Sequence, residues 1–267
     1  MTDERNEEGW WREGRRQVRR QKAGREGEGT GEERRAEAGG RGARRAGGHD
    51  GCGEAHGAEG FTADFAEYTP GMEQGDFGIR FLSDARRIPP PLDTRSGLLV
   101  AGTNRSDDLF MYIYRPVTEL TPGQRYRVDL EITFATNVPA DCVGVGGSPG
   151  EGVLIKAGAT NVVPAKRTEN NLVVTNIDKG NQGRNGREMI VIGDFSGGGG
   201  TCNNGEYRLK SLSTSSPPAS GEPPPQDALL LTADNAGQLW IVIGTDSGFE
   251  GRTEIYYLEG SALLTPV

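Results

Sequence analysis

Six carboxylates and three nearby amides are the groups in this chain best suited to chemistry. They are Asp107, Asp108, Asp178, Asp194, Asp246 and Glu250, with Asn104, Asn176 and Asn181. Each sits where a strand pattern gives way to a loop. Oxygen donors from adjacent loops suit a hard cation such as Ca²⁺, which takes six to eight of them. The spacing therefore nominates a structural calcium drawn from Asp107, Asp108, Asp178 and Asp246. No contiguous calcium-loop motif is present, and Asx-turns and loop caps are the competing account of the same residues. A carboxylate pair can also serve as the acid and nucleophile of a glycosidase, at a separation that sequence does not reveal.

A sugar site would pair an exposed ring with planar polar groups. Outside obvious core positions the aromatics are Tyr68, Phe77, Phe249 and Tyr257. Phe249 lies in the polar run Asp246-Ser-Gly-Phe-Glu250, so Phe249, Asp246, Glu250, Asn104 and Asp107 form the candidate ligand-binding set. The competing account has Phe249 plugging the end of the fold. Gly193-Asp-Phe-Ser-Gly-Gly198 faintly resembles a serine nucleophile loop. A Ser–His system needs a base fixed within hydrogen-bond reach, and the two histidines, His49 and His56, lie far away in sequence. The same two histidines and three scattered cysteines give no zinc spacing. Gly144-Val-Gly-Gly-Ser-Pro-Gly150 has Pro149 where a phosphate-cradling loop would open a helix, and it reads as a tight turn. Asn104-Arg-Ser106 matches a glycosylation sequon.

Cys142 and Cys202 both fall in loops and form a candidate disulfide, the alternative being two reduced thiols. Cys52 stands apart in Gly-Cys-Gly.

These groups must be positioned by strands. Tyr126-Arg-Val-Asp-Leu-Glu-Ile-Thr-Phe134 alternates strictly, apolar at even numbers and polar at odd, which marks one buried and one wet face. Thr121-Pro-Gly-Gln124 before it reads as a type II turn. Leu109–Tyr114 is apolar on both faces and reads as a central strand. Leu229–Thr232 and Gln238–Ile243 flank Asp234-Asn-Ala-Gly237, which predicts a hairpin. Further strands are expected at 77–82, 98–101, 153–156, 172–177, 189–192, 207–212 and 253–258. Two long loops, 88–96 with three prolines and 213–226 with five, separate them. Regular short strands punctuated by Gly, Pro, Asn and Asp predict an all-β antiparallel sandwich.

Composition divides the chain. Residues 1–57 hold 13 Lys+Arg, 12 Asp+Glu and 14 Gly, and no Leu, Ile, Phe or Tyr. So little apolar surface cannot offset the entropy of ordering, which predicts a disordered tail. Residues 58–267 carry 17 Lys+Arg against 26 Asp+Glu. That balance argues against a nucleic-acid surface on the folded domain. Arg15-Arg16-Gln-Val-Arg-Arg-Gln-Lys22 offers a basic arm, but acids in the tail balance it. No apolar run has transmembrane length. A Gly/Arg/Glu-only leader also resembles translated upstream sequence, so the expected native start lies elsewhere, with an export leader in its place.

From Phe110 to Phe134 the chain resembles the galactose-binding-like jelly rolls of bacterial carbohydrate-binding modules, on the pattern of Val117-Thr-Glu-Leu-Thr-Pro-Gly-Gln-Arg-Tyr-Arg-Val128. Thr253–Leu264 resembles their closing strand. More broadly, 58–267 is similar to an uncharacterised group of bacterial exported proteins and lipoproteins. The stretches that carry this are Asn104–Met111, Cys142–Gly147, Asn176–Asn181 and Gly244–Gly251. The resemblance implies a jelly-roll fold, an extracellular or cell-envelope location and, often, a structural calcium. The reading reached from sequence is a non-catalytic extracellular domain that binds carbohydrate or another cell-surface component. A structural or adhesive surface protein and a glycan hydrolase with paired carboxylates are the alternatives.

Overall fold

The computed structural model describes residues 11–15, 60–71, 80–105, 107–218 and 223–267. They contain strands and turns and no helix. In chain order the strands are β1 (Trp11–Arg15), β2 (Thr62–Ala66), β3 (Arg80–Arg87), β4 (Ser96–Thr103), β5 (Leu109–Val117) and β6 (Arg125–Thr136). Then come β7 (Val153–Thr160), β8 (Lys166–Glu169), β9 (Leu172–Thr175), β10 (Met189–Asp194), β11 (Gly199–Thr201) and β12 (Asn204–Glu206). The last four are β13 (Arg208–Ser213), β14 (Leu230–Thr232), β15 (Leu239–Ser247) and β16 (Arg252–Pro266).

Two antiparallel sheets face each other. The first runs β13-β6-β16-β4-β3, with β14 added to β6 and β1 to β16; the second runs β10-β7-β15-β5-β2. Successive long strands switch sheets, from β4 to β5 to β6 to β7 and from β14 to β15 to β16. This is a jelly-roll sandwich. The alternation of β6 sends Tyr126, Val128, Leu130, Ile132 and Phe134 into the inter-sheet core, all nearly inaccessible. From the second sheet, Met111, Ile113, Ile155, Ala157, Ile241 and Ile243 meet them. Leu109–Tyr114 is indeed interior, since β5 lies between β15 and β2.

The expected turn at Thr121–Gln124 forms. Gly123 has φ of 71°, and the Gln124 amide donates to the Thr121 carbonyl at 3.1 Å. Positive φ at this position is what a type II turn asks of glycine. The expected hairpin does not form. β14 pairs with β6, whereas β15 pairs with β5 and β7 in the opposite sheet. The Asp234 side chain still nucleates a local turn by accepting from the Ala236 and Gln238 amides. That turn carries the chain from one sheet to the other. Of the strand expected at 77–82, residues 77–79 lie outside the described residues; β3 occupies the rest.

One segment of the tail departs from expectation. Trp11–Arg15 is a strand, parallel to Gly260–Leu264 of β16, and Trp11 is buried. The rest of residues 1–57 lies outside the described residues.

Cys142 and Cys202 are joined in a disulfide, with Cα atoms 5.6 Å apart and a sequence separation of 60. It ties the loop after β6 to the β11–β12 turn. Closing a loop of this length contributes about 4 kcal/mol in the chain-entropy account. Replacing both cysteines with serine is expected to lower the unfolding free energy by about that amount, measured by denaturant titration. A midpoint unchanged from the wild type would contradict the assignment.

Candidate functional site

The outer face of the second sheet is not an ordinary wetted surface. Phe110, Tyr112, Val242 and Met189 on that face are buried, together with Ala66 and Ile177. The chain between β7 and β10 covers them and carries Ile177 and Lys179 across the sheet. Beneath this cover sit two lysines and a carboxylate with almost no solvent contact: Lys156 on β7, Lys179 on the loop and Asp246 on β15. The two-residue rhythm of β15 explains the placement. Ile241 and Ile243 face the inter-sheet core, so Val242, Gly244 and Asp246 face the other way. Asp246 lies opposite Phe110 of β5 and Leu154 of β7.

Asp246 Oδ2 accepts from both ammonium groups, Lys156 Nζ at 2.9 Å and Lys179 Nζ at 2.8 Å. Lys179 Nζ also pairs with Glu67 Oε2 at 2.7 Å and lies 5.0 Å from the centre of the Phe110 ring. Lys156 Nζ donates to the carbonyls of Lys179 at 2.8 Å and Arg184 at 3.0 Å. Asp108, just before β5, completes the group. The carboxylates of Glu67, Asp108 and Asp246 approach to within 4.8 Å of one another. Three acids face two ammonium groups, so a proton on one acid brings the cluster to neutrality.

Two of the three acids are pushed toward the protonated form. Burial, then the charges of Asp246 and Glu67, push the Asp108 carboxyl up to about 8, and it is hydrogen-bonded to Asp246. Burial and Asp246 raise Glu67 as well. Burial works to raise Asp246 too, but Lys179 and Lys156 outweigh it and hold it below the usual carboxylate range. Burial lowers Lys156. Burial also opposes charge on Lys179, but Asp246 and Glu67 hold that lysine above its ordinary value. The arrangement is a buried cluster of three acids and two lysines in which burial and like charge push Asp108 and Glu67 toward the neutral form.

The residues nominated from sequence sit mostly in structural roles. Asn104 is buried, and its Nδ2 donates to the Ser247 carbonyl at 2.7 Å. The Asp107 carbonyl accepts from Gln182 Nε2 at 3.2 Å, while the residue itself is exposed. Phe249 is half-buried against the core rather than offered as a platform. Glycines at 144 and 251 let its ring seat so closely that a Cβ at either position would lie within 2.5 Å of it. Glu250 is exposed, and its amide donates to the Val145 carbonyl. Asp178 folds its own loop, receiving the Arg187 amide on Oδ2 and the Glu188 amide on its carbonyl. Asp194 pairs with Lys210 at 2.7 Å and accepts from Ser196 Oγ, and Phe195 beside it is core.

Of the expected calcium set, the structure brings Asp108 and Asp246 together with Glu67. Among the described residues, the acids that gather are Glu67, Asp108 and Asp246, not Asp107, Asp108, Asp178 and Asp246. Lys156 and Lys179 both donate to Asp246 Oδ2 within this group. Sequence reasoning missed Glu67, Lys156 and Lys179. The one available signal was Lys156, a lone charge in the apolar run Val153-Leu-Ile-Lys-Ala-Gly-Ala159.

Around this cluster, four loops form a continuous surface. Gly248 N donates to the Gly152 carbonyl and Asn104 N to the Gly251 carbonyl. Gly248 approaches Gln182, which in turn holds the Asp107 carbonyl. Two side chains there are exposed and apolar, Val143 at 96% and Val145 at 68%. Arg105, Asp107, Asn181, Arg184 and Glu250 are exposed polar residues of the same loops.

The cluster gives stability a pH dependence with a definite sign. A carboxyl raised in the folded state stabilises fully below its unfolded value, near 4 for Asp, and loses that contribution as pH climbs through the folded value. Asp108 therefore stabilises progressively less from about pH 4 to about 8. Asp246, lowered in the fold, acts oppositely and loses its contribution as pH falls below the usual carboxylate range. Thermal melts at pH 6 and pH 9 are expected to show a drop in Tm for the wild type and a smaller drop for Asp108→Asn, whose amide mimics the neutral acid. Parallel drops in the two proteins would sink this reading of Asp108.

No family model matches the chain, and no curated protein matches it. Several solved structures do. One comes from work on the promiscuous specificity of carbohydrate-binding modules of the β-sandwich superfamily. It is 12% identical with a TM-score of 0.31, and covers 76% of this chain and 57% of its own. A second is the enzymatically active domain of bacteriophage CBA120 tailspike protein 4. It is 8% identical with a TM-score of 0.33, over 78% of this chain and 20% of that one. A third is a carbohydrate-binding module specific for non-crystalline cellulose, 8% identical with a TM-score of 0.28, over 74% and 87% of the two chains. This chain thus spans little more than half of the first and a fifth of the second.

Proposed function

We propose that the sandwich is a non-catalytic binding domain that acts outside the cell and holds a carbohydrate or another cell-surface component on its loop end. The observation that carries this reading is the pairing of exposed Val143 and Val145 with polar side chains on loops that are otherwise tightly anchored. Isolated exposed apolar residues are ordinary, but two at the tip of a stapled loop call for a partner surface. A sugar ring offers both C–H faces and hydroxyls. The valines suit the first, and Arg105, Asn181, Arg184 and Glu250 suit the second. Anchoring lowers the ordering cost of binding. The disulfide between Cys142 and Cys202 favours an oxidising compartment. Among the described residues, no helix is long and apolar enough to cross a membrane.

The hydrolase reading has less support. A glycosidase separates its two carboxyls by roughly 5–5.5 Å or roughly 6.5–9.5 Å and leaves both open to the sugar. Here the acids that gather lie closer than that, and lysines engage two of them, Glu67 and Asp246.

The test is a glycan and envelope-polysaccharide array, followed by titration of the best ligand. Val143→Ser with Val145→Ser is expected to weaken binding at least tenfold and leave Tm unchanged, because both side chains are exposed. Full affinity in that double variant would contradict the assigned surface. Release of reducing ends from the bound glycan would contradict the non-catalytic reading.

A further inference from the structure

Lys156 and Asp246 are placed as a reacting pair would be. In the antiparallel pairing of β7 with β15, Lys156 stands opposite Gly244, and Asp246 follows two residues later on the same face. Diagonal neighbours of this kind are within reach of a long side chain. The Lys156 ammonium lies 2.9 Å from Asp246 Oδ2, and neither side chain has any solvent exposure. Gly244 lets the Phe110 ring close in beside them, since a Cβ there would come within 2.8 Å of it.

The two lysines are held differently. Lys156 Nζ has three partners, Asp246 Oδ2 and the carbonyls of Lys179 and Arg184. An ammonium spends all three of its hydrogens on them. A neutral amine would keep two on the carbonyls and turn its lone pair to the Asp246 carboxyl. Lys179 Nζ lies instead between two acids, Asp246 and Glu67, and near the Phe110 ring. Those partners favour its cationic form. One lysine is thus set as a nucleophile, and the other as an electrostatic clamp on the same carboxyl oxygen.

Burial disfavours charge on either member of the Lys156–Asp246 pair. Proton transfer from Nζ to Oδ2, giving amine and acid, therefore costs less here than in water. A desolvated lysine amine is a nucleophile, and fixed proximity can act as an effective concentration of roughly 10⁵–10⁸ M. We propose that Lys156 and Asp246 join in an intramolecular amide bond that ties β7 to β15 covalently. The Nζ lone pair attacks Asp246 Cγ, and Lys179 stabilises the charge that develops on the oxygen. Asp108 and Glu67, whose carboxyl oxygens gather within 4.8 Å of that of Asp246, carry the Nζ proton to the departing oxygen. The N–C bond forms, one C–O bond breaks and one water leaves. One ammonium and one carboxylate disappear together, so charge balances and no oxidant or cofactor enters.

Intact-mass spectrometry of the full-length protein, after reduction of its disulfide, tests this. The expected mass is one water below that of the sequence. Peptide mapping is expected to give a branched peptide joining the segments around Lys156 and Asp246. Lys156→Arg, which keeps the positive charge, is expected to show the full mass, and Asp108→Asn to retain an unreacted fraction. A wild type that melts cooperatively yet has the full sequence mass would overturn the bond. So would a water loss that persists in Lys156→Arg. A branch at Lys179 would overturn the choice of nucleophile, and complete reaction in Asp108→Asn would remove that residue from the proton transfer.

Discussion

The Asp246 carboxylate, out of contact with water and held by two ammonium groups, is the interaction on which the rest of this structure depends. Leaving one member of a buried ion pair without its partner costs roughly 3–5 kcal/mol. Lys156 comes from the adjacent strand of the same sheet, but Lys179 must be brought in by a loop, and Glu67 and Asp108 by the ends of β2 and the β4–β5 connection. The cluster thereby fixes three separate segments to the outer face of the second sheet. It converts a face that would ordinarily be wet into a second buried layer, with Phe110, Tyr112 and Val242 beneath the cover. A proton on one of the acids would supply the third positive charge, which makes the cover sensitive to pH as well as to mutation.

What was legible in the sequence was local. The strict alternation of Tyr126–Phe134 survives unchanged as β6, because one face of that strand meets the core and the other meets solvent. The doubly apolar run Leu109–Tyr114 marked an interior strand for the same reason. The hairpin at Asp234–Gly237 was misread because turn chemistry specifies a reversal of the chain and not which sheet receives it. The ionic cluster was only half visible. Its members lie at 67, 108, 156, 179 and 246, and no local spacing connects them. Phe249 looked like an exposed ring because the two glycines that let it seat, at 144 and 251, offer no side-chain signal. Trp11 was assigned to a disordered tail, yet it is buried in a strand beside β16. It gains order only because β16 presents an open lane and a glycine opposite the indole.

These constraints share one consequence for function. The loop end is built from segments that have little freedom left: Asn104 is buried and bonded to Ser247, Cys142 is covalently tied, and Gln182 bridges two loops. The side chains exposed at this end are chiefly Val143, Val145, Asn181, Arg184 and Glu250. Glu67 and Asp246 are engaged by Lys156 and Lys179, which holds the loops to the sheet. The proposed binding surface would sit on this rigid frame.

The central claim is that the buried cluster, rather than the loop's own contacts, holds the segment between β7 and β10 against the sheet. Hydrogen–deuterium exchange of Lys179→Met compared with the wild type tests it most directly. The account expects amides of residues 176–188 to lose protection while those of β5, β6 and β15 keep theirs. Unchanged protection across 176–188 in that variant would contradict it.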